Sequence, residues 1–181
     1  MLDHSFFNSA AKNLRELADQ VERIRPICNK EINLSFSDIR QSYPKDQLRD
    51  LSAWSKSENT SAFIYTFTVN TETLIEELHS AYKAAKDQKH ASRAYARLHK
   101  PSHVFYVGSS QSLEGRIKQH LGYATKSIFA MQLCHWLPDK DGVINIKAYG
   151  FGKDVQQSLL QTIEDELWNK LQPMLGRQGA R

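Results

Sequence analysis

Three stretches constrain this chain more than anything else in it: SAFIYTFTV (61–69), SHVFYVG (102–108) and VINIKAYGF (143–151). Each is short and rich in aromatic or β-branched residues, the composition of a pleated strand. The third alternates, with Ile144, Ile146 and Ala148 on one side and Asn145 and Lys147 on the other, so it reads as half-buried. Helical segments of unequal length separate the three, without regular βαβ alternation. That arrangement predicts a small α+β domain from about residue 61 onward. A chain of 181 residues, 40% of them apolar, is long enough to bury one good core with a small extra module.

Helical periodicity fills much of the rest. Phe6, Phe7, Ala10, Leu14, Leu17, Ala18 and Val21 recur at helical spacing from Asp3 or Ser5 to about Arg23, and Pro26 closes that helix. A polar segment follows, then a second helix over 45–54 and a small-residue linker, SKSENTS, over 55–61. Residues 1–60 are therefore expected to be an N-terminal helical extension, suited to dimerisation or to docking a protein partner. Further helices are expected over 71–86, 91–98, 112–121, 125–136 and 155–172, the last ending at Pro173. The apolar runs are too short to span a bilayer. Cys28 and Cys134 form no CxxC and read as buried thiols, for which the cytoplasm is the expected compartment.

The net charge is +4. Residues 1–60 balance nine basic against nine acidic side chains, so the excess lies in 61–181. Within it, Lys83, Lys86, Lys89, Arg93, Arg97 and Lys100 are opposed only by Asp87. Such a run is either a solvated helix face or a surface that tracks a phosphate backbone. His99 and His103 are four apart, but a helix end falls between them, which argues against zinc.

Three features break the expected pattern. On the 112–121 helix, Leu113, Ile117 and Leu121 mark the buried stripe, yet His120 falls beside Leu113 and Arg116 one step further round, while Lys118 points away. On the last helix, Glu164 falls inside the stripe made by Leu160, Ile163, Leu167, Trp168 and Leu171. A carboxylate there must be protonated, paired with a cation such as Arg116, or bound to a hard divalent ion. Tyr65 and Tyr106, on two different strands, each need a partner for a phenol oxygen. A snorkelling arginine and a satisfied imidazole would account for the first feature without any function.

Taken together, these residues resemble the GIY-YIG nuclease superfamily. Tyr106-Val107-Gly108, followed by Leu113, Arg116 and Ile117, is similar to the second half of the family signature, a strand ending Y-[IV]-G before a helix that bears an arginine. Phe63-Ile64-Tyr65 resembles the first half, with phenylalanine in place of glycine. In IEDELWNKLQP, Glu164 stands nine residues before Pro173, like the family's metal-binding glutamate. His120 matches a histidine of its homing and restriction members. The likeness covers roughly residues 61–177. About thirty extra residues separate the two halves, Ser109 stands where many members carry lysine, and Gly176, followed by Arg177, stands where the usual asparagine would fall.

The resemblance implies a central three-stranded antiparallel sheet flanked by helices, with a helical insertion at about 71–100. It implies a metal-dependent endonuclease that hydrolyses DNA phosphodiesters, with Mg²⁺ or Mn²⁺ held by Glu164. Tyr65 would be the general base, Tyr106 would assist, and Arg116 and His120 would bind phosphate. The cations at 83–100, with Lys118 and Arg177, would hold the DNA backbone. The alternative is a nucleic-acid-binding module that keeps the fold with weakened catalysis.

Overall fold

The computed structural model describes residues 2–56, 60–70 and 72–179. The chain runs α1 (His4–Arg23), β1 (Cys28–Ser35), α2 (Phe36–Gln41), α3 (Lys45–Lys56), β2 (Thr60–Val69), α4 (Ile75–Asp87), β3 (Val104–Ser110), α5 (Leu113–Leu121), β4 (Val143–Gly152) and α6 (Gln157–Leu171). The α+β expectation holds, but the sheet has four strands in the order β1-β4-β2-β3, all pairs antiparallel.

The extra strand comes from the polar segment after Pro26. Its side chains alternate half-buried and exposed, because β1 lies at the sheet edge and pairs only with β4, from Cys28 opposite Gly150 to Ser35 opposite Val143. Alternation with few fully apolar inward positions gave it little strand signal. Residues before 60 therefore contribute to the sheet and the core, whereas a helical extension was expected. Ser35 accepts a hydrogen bond from the Asp38 amide and caps α2, whose Phe36 and Ile39 are completely buried. α3 adds Leu48 and Leu51 to the same core.

α1 differs from every other helix. Asp3 caps it, accepting from the Phe6 amide at 2.9 Å, but none of its residues is fully buried, and Phe6, Phe7 and Leu14 are exposed. None of the described helices is long and apolar enough to cross a membrane.

The sheet has two apolar faces. Phe63, Tyr65 and Phe67 of β2 join Ile144, Ile146 and Ala148 of β4 in the main core, against α2, α3, α4 and α5. Ala62, Ile64 and Phe151 point the other way, onto Leu160 of α6, with Ile24 just beyond α1 packed beside them. Period-two alternation in β2 thus feeds two cores.

Two expected helices are corrected. Over 91–98 there is only a 3₁₀ turn at His90–Ser92, after which the chain extends, with Tyr95 bridging Ala130 and Leu98 bridging Leu175. Over 125–136 there is only a 3₁₀ turn at Leu133–His135. In both stretches the apolar residues satisfy the core from an extended chain, and left-handed backbone at Lys89, Ala91, Ser92 and Gln132 breaks any helix. Residues 57–59 of the expected linker, and Thr71 at the expected start of α4, lie outside the described residues.

The α2 anchor yields a test. The Phe36 ring packs on Gly142 so closely that a Cβ there would come within 2.5 Å of it. Phe36→Ala should lower unfolding free energy by about 3–5 kcal/mol in urea titrations. Leu14→Ala, on the exposed face of α1, should change it by less than about 0.5 kcal/mol.

Candidate functional site

The strand register brings the two tyrosines together. Tyr65 pairs with Gly108 and Phe67 with Tyr106, so all four residues share one face of the sheet. Tyr65 and Tyr106 stack nearly parallel, with ring centroids 6.2 Å apart at 11°. Glycine is required at 108, because a Cβ would lie 2.6 Å from Tyr106 Cε1 and 2.8 Å from Tyr65 Oη. The glycine of the Y-V-G triplet is thus the floor on which both phenols lie.

α5 starts three residues beyond β3 and crosses above these rings. Its Arg116 Nη2 donates to Tyr106 Oη at 3.4 Å, and Nη1 donates to Gln119 Oε1 at 2.5 Å. His120, one turn later, is 0% exposed and wedged between Tyr106, Phe67 and Tyr65, with its Nε2 3.3 Å from Tyr65 Oη. Burial, aided by Arg116, holds its imidazole well below the ordinary histidine range, so it is neutral. Burial also raises the Tyr65 phenol far above its usual value; Tyr106 adds to that rise and Arg116 opposes it. Arg116 is half-buried, which disfavours its charge, but the two phenols outweigh burial and the guanidinium stays charged.

Glu164 reaches the site from α6. It is half-buried and accepts a hydrogen bond from Ser109 Oγ at 2.5 Å. Burial raises its carboxyl above the usual range; the Ser109 bond pulls the other way and Asp165 adds to the rise. No ion pair joins Arg116 to Glu164 among those formed by the described residues, so the internal pair weighed from the sequence is not how either group is satisfied. Instead both open onto one cleft of about 870 Å³ along the edge of β3, walled also by Tyr106, Gly108, Ser109 and Ser110.

The far wall comes from the insertion and the chain after α6. Met174 and Leu175 amides donate to Val104 and Phe105 carbonyls, covering the first part of the β3 edge. Gly176 turns away with φ +108°, and a Cβ there would sit 2.8 Å from Tyr106 Cε2. An asparagine could not occupy that position without displacing the tyrosine. His99 Nε2 donates to the Gly176 carbonyl at 2.8 Å and holds the turn in place.

Of the cations expected to meet a phosphate backbone, Lys86, Arg97 and Arg177 line the cleft with Arg116, against Glu164 as the sole carboxylate of the lining among the described residues. The others do not join them. Lys83 is paired with Asp87 at 2.8 Å, Lys89 and Lys100 are exposed elsewhere, and Lys118 sits over the Tyr43 ring at 5.6 Å. Arg93 turns inward, where Nη1 donates to the Ala124 carbonyl and to Gln132 Oε1. Tyr65 and His120 lie behind the wall and do not line the cleft. Gln157, Gln161 and Phe129, which also line it, were not anticipated. The two glutamines stand seven and three residues ahead of Glu164, so helical spacing from the glutamate was a usable signal. Phe129 had none, because its segment read as a helix.

A divalent ion fits this donor set as a hard cation fits a single carboxylate. Glu164, beside the Ser109 hydroxyl, would offer such an ion one carboxylate oxygen, in keeping with the preference of Mg²⁺ for oxygen ligands and retained waters. No cluster of three His, Cys, Asp or Glu that could hold a metal ion occurs among the described residues. The chain matches no family model, no curated protein and no solved structure.

Two measurements probe this arrangement. Gly108→Ala should cost about 1–3 kcal/mol by forcing the rings apart, read from urea unfolding. His120 should tie stability to pH. As pH falls through about 6.5, the unfolded chain protonates this imidazole and the folded chain does not, so stability declines on acidification. His120→Gln should flatten that decline, whatever its offset in absolute stability.

Proposed function

We propose that the cleft hydrolyses phosphodiester bonds in DNA with the help of a divalent metal ion. The observation that carries this reading is the pairing of charges left open: a desolvated guanidinium and a desolvated carboxylate on one cleft wall, not bonded to each other. Their desolvation is offset if an anion meets the first and a cation the second. A phosphodiester with its metal ion supplies both. Lys86, Arg97 and Arg177 around them favour an extended polyanion over a single small one.

The chemistry follows from position. Arg116 binds a nonbridging phosphate oxygen and stabilises the charge that grows there in the transition state. Tyr106 is the phenol at the cleft surface and takes the role of orienting the attacking water by a hydrogen bond. Tyr65 and His120, which share a hydrogen bond behind it, hold the Tyr106 ring and the Arg116 turn in register, so Tyr65 acts as a positioning residue. Glu164 would hold the metal ion, which would supply Lewis-acid polarisation of the phosphate and charge stabilisation for the leaving oxygen. The water oxygen forms the new P–O bond and loses its proton to solvent in the open cleft, while the P–O bond to the sugar breaks and the leaving sugar oxygen takes a proton from solvent.

Supercoiled plasmid incubated with the protein and Mg²⁺ or Mn²⁺ tests this. Nicked or linear product is expected with the native chain. Glu164→Ala should abolish it, and Arg116→Ala should reduce kcat on the order of 10²-fold or more. Tyr106→Phe should lose more activity than Tyr65→Phe. Equal cleavage by the native chain and Glu164→Ala would overturn the metal assignment. Gly176, which brings no side chain to the cleft, favours the second reading, binding without hydrolysis. That reading requires DNA affinity that persists in EDTA and ignores Glu164→Ala.

A further inference from the structure

We propose that Phe129 is a stacking platform for an unpaired nucleobase, so that the cleft takes single-stranded or locally unpaired DNA. This rests on the nuclease reading and names the substrate class for the same site.

Phe129 is 71% exposed, yet the next four residues, Ala130 to Leu133, are all buried. Its exposure is therefore not that of a loose loop tip. The segment that carries it is fixed on both sides. Ala96 donates its amide to the Ala130 carbonyl at 3.0 Å, and Ala94 donates to the Lys126 carbonyl at 2.9 Å. Gln132, 1% exposed and in the left-handed region, donates from Nε2 to both the Ala94 and Ile128 carbonyls. Arg93 closes the clamp, donating to Gln132 Oε1 at 3.1 Å and to the Ala124 carbonyl at 3.0 Å. A part-buried polar network thus fixes the backbone that carries this ring at the rim, which lowers the entropy lost when a ligand stacks on it.

The surroundings identify the ligand. Phe6, Phe7 and Leu14 are exposed together on α1, as a protein-facing patch would be. Phe129 instead shares its cleft with Lys86, Arg97, Arg116 and Arg177. An aromatic face beside a cationic track is how proteins hold single strands, phosphates on the charges and bases on the ring. The cleft's roughly 870 Å³ is in the size class that encloses a small molecule, room for a nucleotide or two drawn out of a stack. In a paired duplex the base faces are already stacked and offer Phe129 nothing.

The test uses the full chain in EDTA, with a short single-stranded oligonucleotide carrying 2-aminopurine, whose fluorescence falls on stacking, and a blunt duplex of the same sequence. The native protein should prefer the single strand and quench the probe. Phe129→Ala should lower the ratio of single-strand to duplex affinity on the order of tenfold and abolish quenching, and Phe129→Trp should restore both. An unchanged ratio in Phe129→Ala overturns the proposal, as does a native protein with no single-strand preference. So does a variant that keeps its oligonucleotide affinity but loses self-association, which would make Phe129 a protein contact. Cleavage assays separate the two readings. Quenching without any Glu164-dependent cleavage removes the nuclease reading and leaves the platform. Glu164-dependent cleavage of single strands at native rates by Phe129→Ala does the reverse.

Discussion

The Tyr65 ring lies over the bare backbone of Gly108 and against the ring of Tyr106, two residues earlier on the neighbouring strand. Because residue 108 has no Cβ, the two phenols can stack at the sheet surface instead of splaying to either side of it. His120 then fills the space between them and the Phe67 ring, which fixes the rotation of α5 about its axis. That rotation decides where Arg116 points. A single missing methyl group thus sets the aim of the guanidinium.

The electrostatics follow from the same packing. His120 is kept neutral by burial, so the only permanent charge that α5 delivers to the cleft wall is Arg116. Glu164 comes from the helix on the other face of the sheet and is tied to Ser109, which keeps it from closing onto the arginine. Two half-desolvated charges of opposite sign held apart are costly unless something occupies the gap. The cleft is in that sense preorganised for a ligand that carries both signs.

Much of this was legible in the sequence, for reasons that differ by residue. The three central strands announced themselves because β2, β3 and β4 carry aromatic and β-branched residues on faces that enter a core. Arg116, His120 and Glu164 were visible as polar residues on apolar stripes, which periodicity alone exposes. β1 was not visible, since an edge strand half open to water needs little apolar content. The stretches 91–98 and 125–136 misled because buried residues at helical spacing also occur in chains that cross a core in extended form; Tyr95, Ala130 and Met131 are buried that way. Arg93 showed the limit of reading charge by composition. It belonged to a basic run, but its hydrogen bonds are spent inside the protein on carbonyl and amide oxygens.

The strap that follows α6 has a further consequence. Met174 to Gly176 lie between β3 and the extended insertion, joined to both, as the Gly176 amide donates to the Arg97 carbonyl. During synthesis the tyrosines, Arg116 and Glu164 all leave the ribosome before this last wall can dock. A nascent chain therefore carries the tyrosines, the guanidinium and the carboxylate of the cleft without their enclosure, and the cleft is complete only once residues 174–176 are tucked in.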